Sequence, residues 1–494
     1  MANNSKLVGV LILILLLASF LRLYSLNSAP PGLYSDEATN GNNAVQALEA
    51  APPDGGFRAF YAENNGREGL FINIQAIFIK LIGSTGLIGP IEILRLPSAL
   101  FGILTVLGVY FLTKELFGDK RIALFAAFLI ATSFWHINFS RIGFRAIMAP
   151  AFLTWGLYLL LLSYSPRFAG EAGKSYRSYW TYLLPLLAGA VYGLGMHSYI
   201  AYRATPLLIV FSLWLLGIRH GWKRTLKIGA IFIVASIIVF LPLGFYFLEN
   251  PADFFGRTSQ ISVWQSPTPL KDLGLNILKT AGMFSVAGDY NPRHNIPGSP
   301  LLYWPVGILF LMGIFVGIKK LTQNSILFAW LVVSALPVII SNEGMPHALR
   351  AILMAPPVFI LAALGGAWLY EKIRSIGPIS LIGPIGLIFL IVFSAVNAYT
   401  SYFIDWAKRP DVASAFNQDI VRVAEEMNKL PPETPKYLII DTGGHDVRKI
   451  GSPAQTIMYL TDTYLPEKQK ERNIFYISPS ETSKIPENGF VIEI

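Results

Sequence analysis

The sequence predicts an all-α polytopic membrane protein with a small α/β domain at its C-terminal end. Three observations carry that prediction. Of 494 residues, 53% are hydrophobic and only 14% charged, whereas a soluble domain carries about 25% charged residues. Apolar runs long enough to cross ~30 Å of hydrocarbon recur along most of the chain. From about residue 401 this pattern gives way to short alternating segments and one amphipathic helix.

Eleven runs qualify as spans: 7–24, 96–117, 122–140, 146–164, 180–200, 204–218, 228–248, 301–318, 325–341, 351–370 and 377–398. A further segment, 68–83, reads "EGLFINIQAIFIKLIG". Its Leu70, Ile74, Ile77, Phe78 and Leu81 recur at helical spacing, with Asn73 and Lys80 off that stripe. That amphipathic pattern suits a juxtamembrane helix lying in the interface. Charge agrees with this parity. With a cytoplasmic N-terminus, the short inner loops hold fourteen Lys and Arg: Lys114, Lys120, Arg121, Arg167, Lys174, Arg177, Arg219, Lys223, Arg224, Lys227, Lys319, Lys320, Lys372 and Arg374. The outer ones hold four, Arg141, Arg145, Arg203 and Arg350. Counting 68–83 as a span would reverse that bias. The first run also has the short basic start of a signal peptide, but it is long for one and "LNSAPP" is a poor cleavage site. Either way, Asp36 lies outside.

The expected organisation is a transmembrane domain over 1–400, with outer loops 25–95 and 249–300, followed by an extracytoplasmic domain over 401–494. In that tail, Asn417 or Asp419 is placed to cap a helix whose stripe is Ile420, Ala424, Met427 and Leu430. "KYLIID", "NIFYIS" and "GFVIEI" read as strands, and Ser452-Pro453 as the start of a second helix.

Composition also excludes chemistry. Without cysteine there is no disulfide, thiolate nucleophile, iron–sulfur cluster or Cys-type zinc site. The net charge of +9 is explained largely by inner loops and needs no nucleic acid. No phosphate-binding P-loop and no dinucleotide glycine fingerprint occurs, which leaves an ATP or nucleotide-sugar site unsupported. No cofactor is called for. A divalent metal is chemically allowed, but His136, His197, His294 and His347 are far apart in sequence and no H-E-x-x-H is present.

Polar residues collect on the predicted outer side. "PPGLYSDEATNGNNA" places Asp36 and Glu37 directly after the first span. "SRIGFRA", "HSYIAYRA", "GDYNPRHN" and "EGMPHALR" bring Arg141, Arg145, Arg203, Asp289, Arg293, His294, His347 and Arg350. Single arginines at helix ends commonly snorkel to headgroups. A group of them on the side where positive charge is disfavoured suggests an anionic ligand, and the Arg fork suits phosphate. An ionised acid opposite such cations can take a proton while the cations hold a leaving phosphate. A lipid-linked phosphate donor, delivered within the bilayer, fits these constraints.

These residues, with "GREGLF", "RLPSALFGILTVLGVYFLTKELFG", "SFWHINFSRIGFRAIMAP", "GDYNPRHNIPGSP" and "EGMPHALRAI", resemble the GT-C membrane glycosyltransferases. The likeness runs over about residues 20–370, and its nearest branch holds the dolichyl-phosphate-mannose–protein mannosyltransferases and the bacterial aminoarabinose transferase. The resemblance implies an inverting hexosyl transfer from a polyprenyl-phosphate sugar to a hydroxyl of a protein, lipid or envelope glycan, on the outer face. It implies Asp36 and Glu37 as the catalytic pair, Asp36 as the base and Glu37 supporting the acceptor or the loop. It also implies donor or acceptor contacts by Arg67 and Glu68 and donor-phosphate contacts by Arg141 and Arg145, while Asp289 with the rest of "GDYNPRHN" stands between acceptor binding and loop folding. Two departures stand out. Arg67-Glu68-Gly69 replaces the His-Pro-Pro or Lys-Pro-Pro type motif of many relatives, and loop 249–300 is too short for the β-trefoil of the eukaryotic enzymes. A transporter of lipid-linked sugars is the alternative reading, although repeated halves and interrupted helices are not evident.

Overall fold

The computed structural model describes residues 2–51, 54–165, 175–375, 382–440, 446–447, 450–486 and 490–493. Arg167 and Lys174 of the charge count, the start of the 377–398 run and the ends of the tail strands at Asp441 and Ile494 lie outside the described residues.

Along the chain come α1 (Ala2–Leu23), α2 (Ser35–Glu49), β1 (Phe60–Tyr61), β2 (Arg67–Glu68), α3 (Leu70–Ile82), α4 (Pro90–Phe117), α5 (Lys120–Ala131) and α6 (Phe134–Phe139). They are followed by α7 (Met148–Leu162), α8 (Ser175–Gly195), α9 (Pro206–His220), α10 (Trp222–Glu249), α11 (Pro251–Gln260), α12 (Pro269–Gly282), α13 (Trp304–Lys319), α14 (Leu321–Ile339), α15 (Ala355–Arg374) and α16 (Ile382–Tyr399). The tail adds α17 (Pro410–Ala415), α18 (Gln418–Lys429), β3 (Lys436–Ile439), β4 (Asp446–Val447), β5 (Ile450–Gly451), α19 (Ala454–Leu460), α20 (Pro466–Arg472), β6 (Ile474–Ile477) and β7 (Phe490–Glu493). Among the described residues, eight helices are long and apolar enough to cross a membrane.

The chain forms two compact units. The first comprises 1–24, 99–140 and 145–402; the second comprises 25–98, 141–144 and 403–494.

The first unit is a helix bundle. Its α13 and α15 meet backbone to backbone: a Cβ at Gly313 would collide with the Leu361 carbonyl, and one at Gly365 with the Leu309 carbonyl. Such close approach lets dispersion hold helices together where lipid removes the hydrophobic drive. Buried indoles keep partners, with Trp135 Nε1 donating to Ala348 O at 2.9 Å and Trp330 Nε1 to Leu353 O at 2.8 Å.

The run 122–140, expected as one span, is instead α5 and α6 with a break at Thr132–Ser133. The cause is Arg22 of α1, which is fully buried. Its guanidinium donates to the carbonyls of Ala131 (3.0 Å) and Ile130 (3.3 Å) and lies 2.8 Å from His136 Nδ1. These end-of-helix carbonyls, otherwise orphaned, are therefore satisfied, and Ser133 Oγ accepts from His136 N to begin α6.

In the second unit, α3 forms where the juxtamembrane helix was expected. Its buried side is Phe71, Ile72, Gln75 and Ala76. The apolar stripe of Leu70, Ile74, Ile77, Phe78 and Leu81 is half-buried to exposed, as an interfacial helix requires. The amides of "NGNN" on α2 are buried rather than solvated, and they tie distant segments together. Asn40 Nδ2 donates to Gly143 O (3.1 Å), and Asn42 Nδ2 to Gln455 O and Oε1 (3.0 Å each). The tail carries a parallel sheet in the order β6-β3-β7. Its core is built by Ala424 and Met427 of α18, Leu438 of β3, Ile457 and Met458 of α19 and Ile474 of β6. Asn417, at positive φ, precedes α18, and its Nδ2 donates to Ser35 Oγ at 2.8 Å. Thr456 Oγ1 of α19 donates to Leu33 O at 3.0 Å. The tail segment 403–494 therefore packs within one unit with 25–98, where the sequence suggested a domain of its own. The reason is that buried amides and hydroxyls of α2 find their partners in the tail.

Candidate active site

Asp36 and Glu37 sit in the first turn of α2, where the helix dipole favours negative charge. The fold gives them opposite surroundings. Glu37 is fully buried. Arg95 of α4 grips it with both forks, Nε to Oε2 at 2.9 Å and Nη2 to Oε1 at 3.1 Å. Backbone amides complete the shell, from Gly143 to Oε2 at 2.7 Å and from Tyr34 to Oε1 at 3.4 Å. The other N–H groups of Arg95 hold the carbonyls of Leu26, Pro30 and Gly32. Glu37 thus anchors the loop after α1 and offers no open oxygen to a substrate.

Asp36 keeps about a third of its side chain exposed, at 30%. One oxygen pairs with Arg67 Nη2 at 3.0 Å and the other accepts from Asn64 Nδ2 at 2.8 Å. Arg67 and Glu68 form β2, whose pairing with β1 sets Arg67 opposite Tyr61 and Glu68 opposite Phe60. The strand pairing fixes where the guanidinium emerges, and Gly69 is needed because a Cβ there would strike the Arg58 carbonyl. Burial pushes the Tyr61 hydroxyl up to about 12, so it stays protonated and donates to Asn73 Oδ1 at 2.9 Å. Arg67 Nε is buried and has no hydrogen-bond partner among the described residues.

Several arginines expected to hold phosphate are spent on the fold. Arg141 is fully buried, donating from Nε and Nη2 to Ala29 O (2.9 and 2.7 Å) and from Nη2 to Ser25 O (3.0 Å), and it stacks on Phe403. It belongs with Asp36, Glu37, Arg67 and Glu68 to the second unit.

Arg145, Arg203, Asp289, Arg293, His294, His347 and Arg350 fall in the first unit. Arg350 is buried, donating to Glu343 Oε2 and Glu343 O (2.7 Å each) and to Ser341 Oγ. Arg203 lies over the rings of Phe247 and Phe254 and donates to Phe254 O at 2.7 Å. In both, the cation meets one loop carbonyl, Phe254 O or Glu343 O, together with the aromatic rings of Phe247 and Phe254 or the Glu343 carboxylate. Arg145, half-buried over Tyr199, and Arg293, also half-buried, keep partial access. Asp289, His294 and His347 converge, with Asp289 Oδ2 2.9 Å from His294 Nδ1 and 3.9 Å from His347 Nδ1.

Sequence reasoning missed Arg95, Arg22 and Asn64. Arg22 lies within an apolar run, where an ionisable residue signals a buried partner. Arg95 sits one position before a span and reads as a snorkelling end. Asn64 gave no signal. The first unit also encloses a cavity of about 300 Å³. Its lining includes Ser133, Asn295, Ser299, Tyr303 and Ser394 and holds no Asp, Glu, Lys, Arg or His, so it does not suit a phosphate.

Comparison with known proteins bears on this geometry. The family model described as dolichyl-phosphate-mannose-protein mannosyltransferase matches residues 70–246, about a third of the chain. No curated protein matches the sequence. Among solved structures, the archaeal oligosaccharyltransferase AglB from Archaeoglobus fulgidus, in complex with an inhibitory peptide and a dolichol-phosphate, aligns with a TM-score of 0.56 at 15% identity. That alignment covers 97% of this chain and 70% of AglB. ArnT from Cupriavidus metallidurans in the apo state gives 0.56 at 13% identity, covering 99% of this chain and 90% of ArnT. ArnT bound to undecaprenyl phosphate gives 0.52 at 14%, covering 98% and 90%. The fold is that of the GT-C glycosyltransferases. With eight helices among its described residues long and apolar enough to cross a membrane, the chain is a multi-pass membrane protein, and the acidic turn of α2 with its Arg67 partner is a feature of its second unit.

Proposed function

We propose that this protein is a membrane glycosyltransferase that moves a hexose from a polyprenyl-phosphate donor to a hydroxyl acceptor, with inversion, on the extracytoplasmic face. The GT-C fold and the mannosyltransferase match at 70–246 support the transferase class. The observation that carries the assignment is Asp36, a carboxylate left partly exposed between Arg67 and Asn64.

In this reading the acceptor O–H gives its proton to Asp36 while its oxygen attacks the anomeric carbon. The bond from that carbon to the phosphate oxygen breaks, and polyprenyl phosphate departs with the electron pair. The Arg67 ion pair orients the Asp36 carboxylate, as a general base requires. The acceptor is a protein, lipid or glycan hydroxyl.

The test offers polyprenyl-phosphate-linked radiolabelled hexoses and a cell-envelope acceptor extract to wild type and Asp36→Asn in nanodiscs. Label reaching a new product with wild type alone supports the assignment. Equal transfer by both proteins removes Asp36 as base. Donor carried across the bilayer of a proteoliposome without any transfer would instead make the protein a transporter.

A further inference from the structure

We propose that Asp289, His294 and His347 form a zinc site in the first unit, which joins the "GDYNPRHN" and "EGMPHALR" loops. The three residues each present one ligand atom, and these atoms lie within 4.8 Å of one another. Oδ2 of Asp289 is 2.9 Å from Nδ1 of His294 and 3.9 Å from Nδ1 of His347. Nitrogen and oxygen ligands at about 2.0–2.1 Å from a tetrahedral zinc stand roughly 3.3 Å apart. These two separations fall on either side of that value, and the widest pair, at up to 4.8 Å, has to close by about 1.5 Å, within reach of side-chain rotation.

Two further observations favour a cation. The ligands are buried or nearly so, and the carboxylate is preset by backbone amides: Ala348 N donates to Oδ2 and Asn291 N to Oδ1, each at 2.8 Å. The loops behind it are pinned as well, by Trp135 Nε1 on Ala348 O and Asn138 Nδ2 on Arg293 O. Outer-shell hydrogen bonds of this kind orient metal ligands. Arg350 N approaches Nδ1 of His347 at a long 3.4 Å, a contact that a metal bound at that nitrogen would replace. Imidazole with carboxylate suits zinc among common divalent ions, whereas magnesium and calcium prefer oxygen alone. With three protein ligands, the fourth position of the tetrahedron is left for water or another small ligand.

The site stands apart from the transfer reading, because metal binding is measured whatever the chain transfers. The protein is purified in detergent without metal-affinity resin, and its zinc content is measured by mass spectrometry. About one zinc per chain is expected for wild type, with loss from His294→Ala and His347→Ala and retention by Asp411→Asn in the other unit. Chelated wild type is then titrated with cobalt(II), where the intense visible bands of a tetrahedral complex are expected. Zinc added back raises the unfolding temperature by several degrees, on the order expected for a ligand bound only by the folded state. Should the histidine variants fail to fold, the cobalt spectrum and zinc shift of wild type decide alone. Wild type with less than about a tenth of a zinc per chain and no response to added zinc or cobalt would overturn the site. It would leave a metal-free histidine–aspartate clasp.

Discussion

The acidic turn at the start of α2 and the Asp289 loop both place a carboxylate among cations or histidines, yet they differ in how fully that carboxylate is enclosed. Asp36 is 30% exposed and held from two directions, by Arg67 and Asn64. Asp289 is 3% exposed and held by two backbone amides and an imidazole nitrogen. Glu37, one residue from Asp36, falls at the closed extreme, with four donor contacts and no exposure. The lesson is that an acid's neighbours in sequence say little about its role. What separates a reacting carboxylate from a holding one is the lone pairs and surface left to it after the fold is complete.

Four substitutions test that distinction. The largest effect is expected at Asp36: Asp36→Asn lowers single-turnover transfer by about 10²–10⁴-fold, while its unfolding temperature stays near that of wild type. A large loss of folded protein instead would place Asp36 with Glu37 as a holding group. Next comes Arg95→Met, which leaves Glu37 buried and unpaired and costs about 3–5 kcal/mol of stability. Urea or thermal unfolding in detergent reads this, and the double variant Glu37→Gln/Arg95→Met should recover part of the loss. An unchanged midpoint for Arg95→Met would mean the pair does not hold the loop. Asp289→Asn is expected to cost about 1–3 kcal/mol by weakening the hydrogen bonds from Ala348 and His294, read as a lower midpoint without added metal. The smallest effect is Asn64→Ala, which removes one hydrogen bond to Asp36 and slows transfer by about 5–10-fold, or roughly 1 kcal/mol. Transfer unaffected by Asn64→Ala would show that Arg67 alone orients the base.

The outer-loop arginines extend the same argument. Arg141, Arg203 and Arg350 looked alike in sequence, each near a span end on the side where cations are rare. The fold uses all three on its own carbonyls or carboxylates. Returning loops at a bundle end carry more unsatisfied carbonyls than short side chains can reach, and a guanidinium with five donors reaches several of them. Arg145 and Arg293 are half-buried. No spacing rule reveals this use of Arg141, Arg203 and Arg350, because the carbonyls those three meet lie up to 116 residues away, as for Arg141 and Ser25.

The sequence by itself determined the membrane class, the helical character of most of the chain, the presence of α3 as a short apolar helix and the α/β nature of the tail. These follow from hydropathy and periodicity, which are local and summed over many residues, so no single long-range contact can overturn them. It also singled out Asp36, through an acid pair set beside a span. Only the tertiary structure decided that Glu37 is locked to Arg95, that Arg22 breaks the 122–140 run, and that 403–494 packs within one unit with 25–98. It alone brought together two histidines 53 residues apart, numbered 294 and 347, at Asp289. Each of those outcomes depends on which buried polar group meets which partner. Burial makes such pairings obligatory, and chain topology, invisible to any window of sequence, selects them.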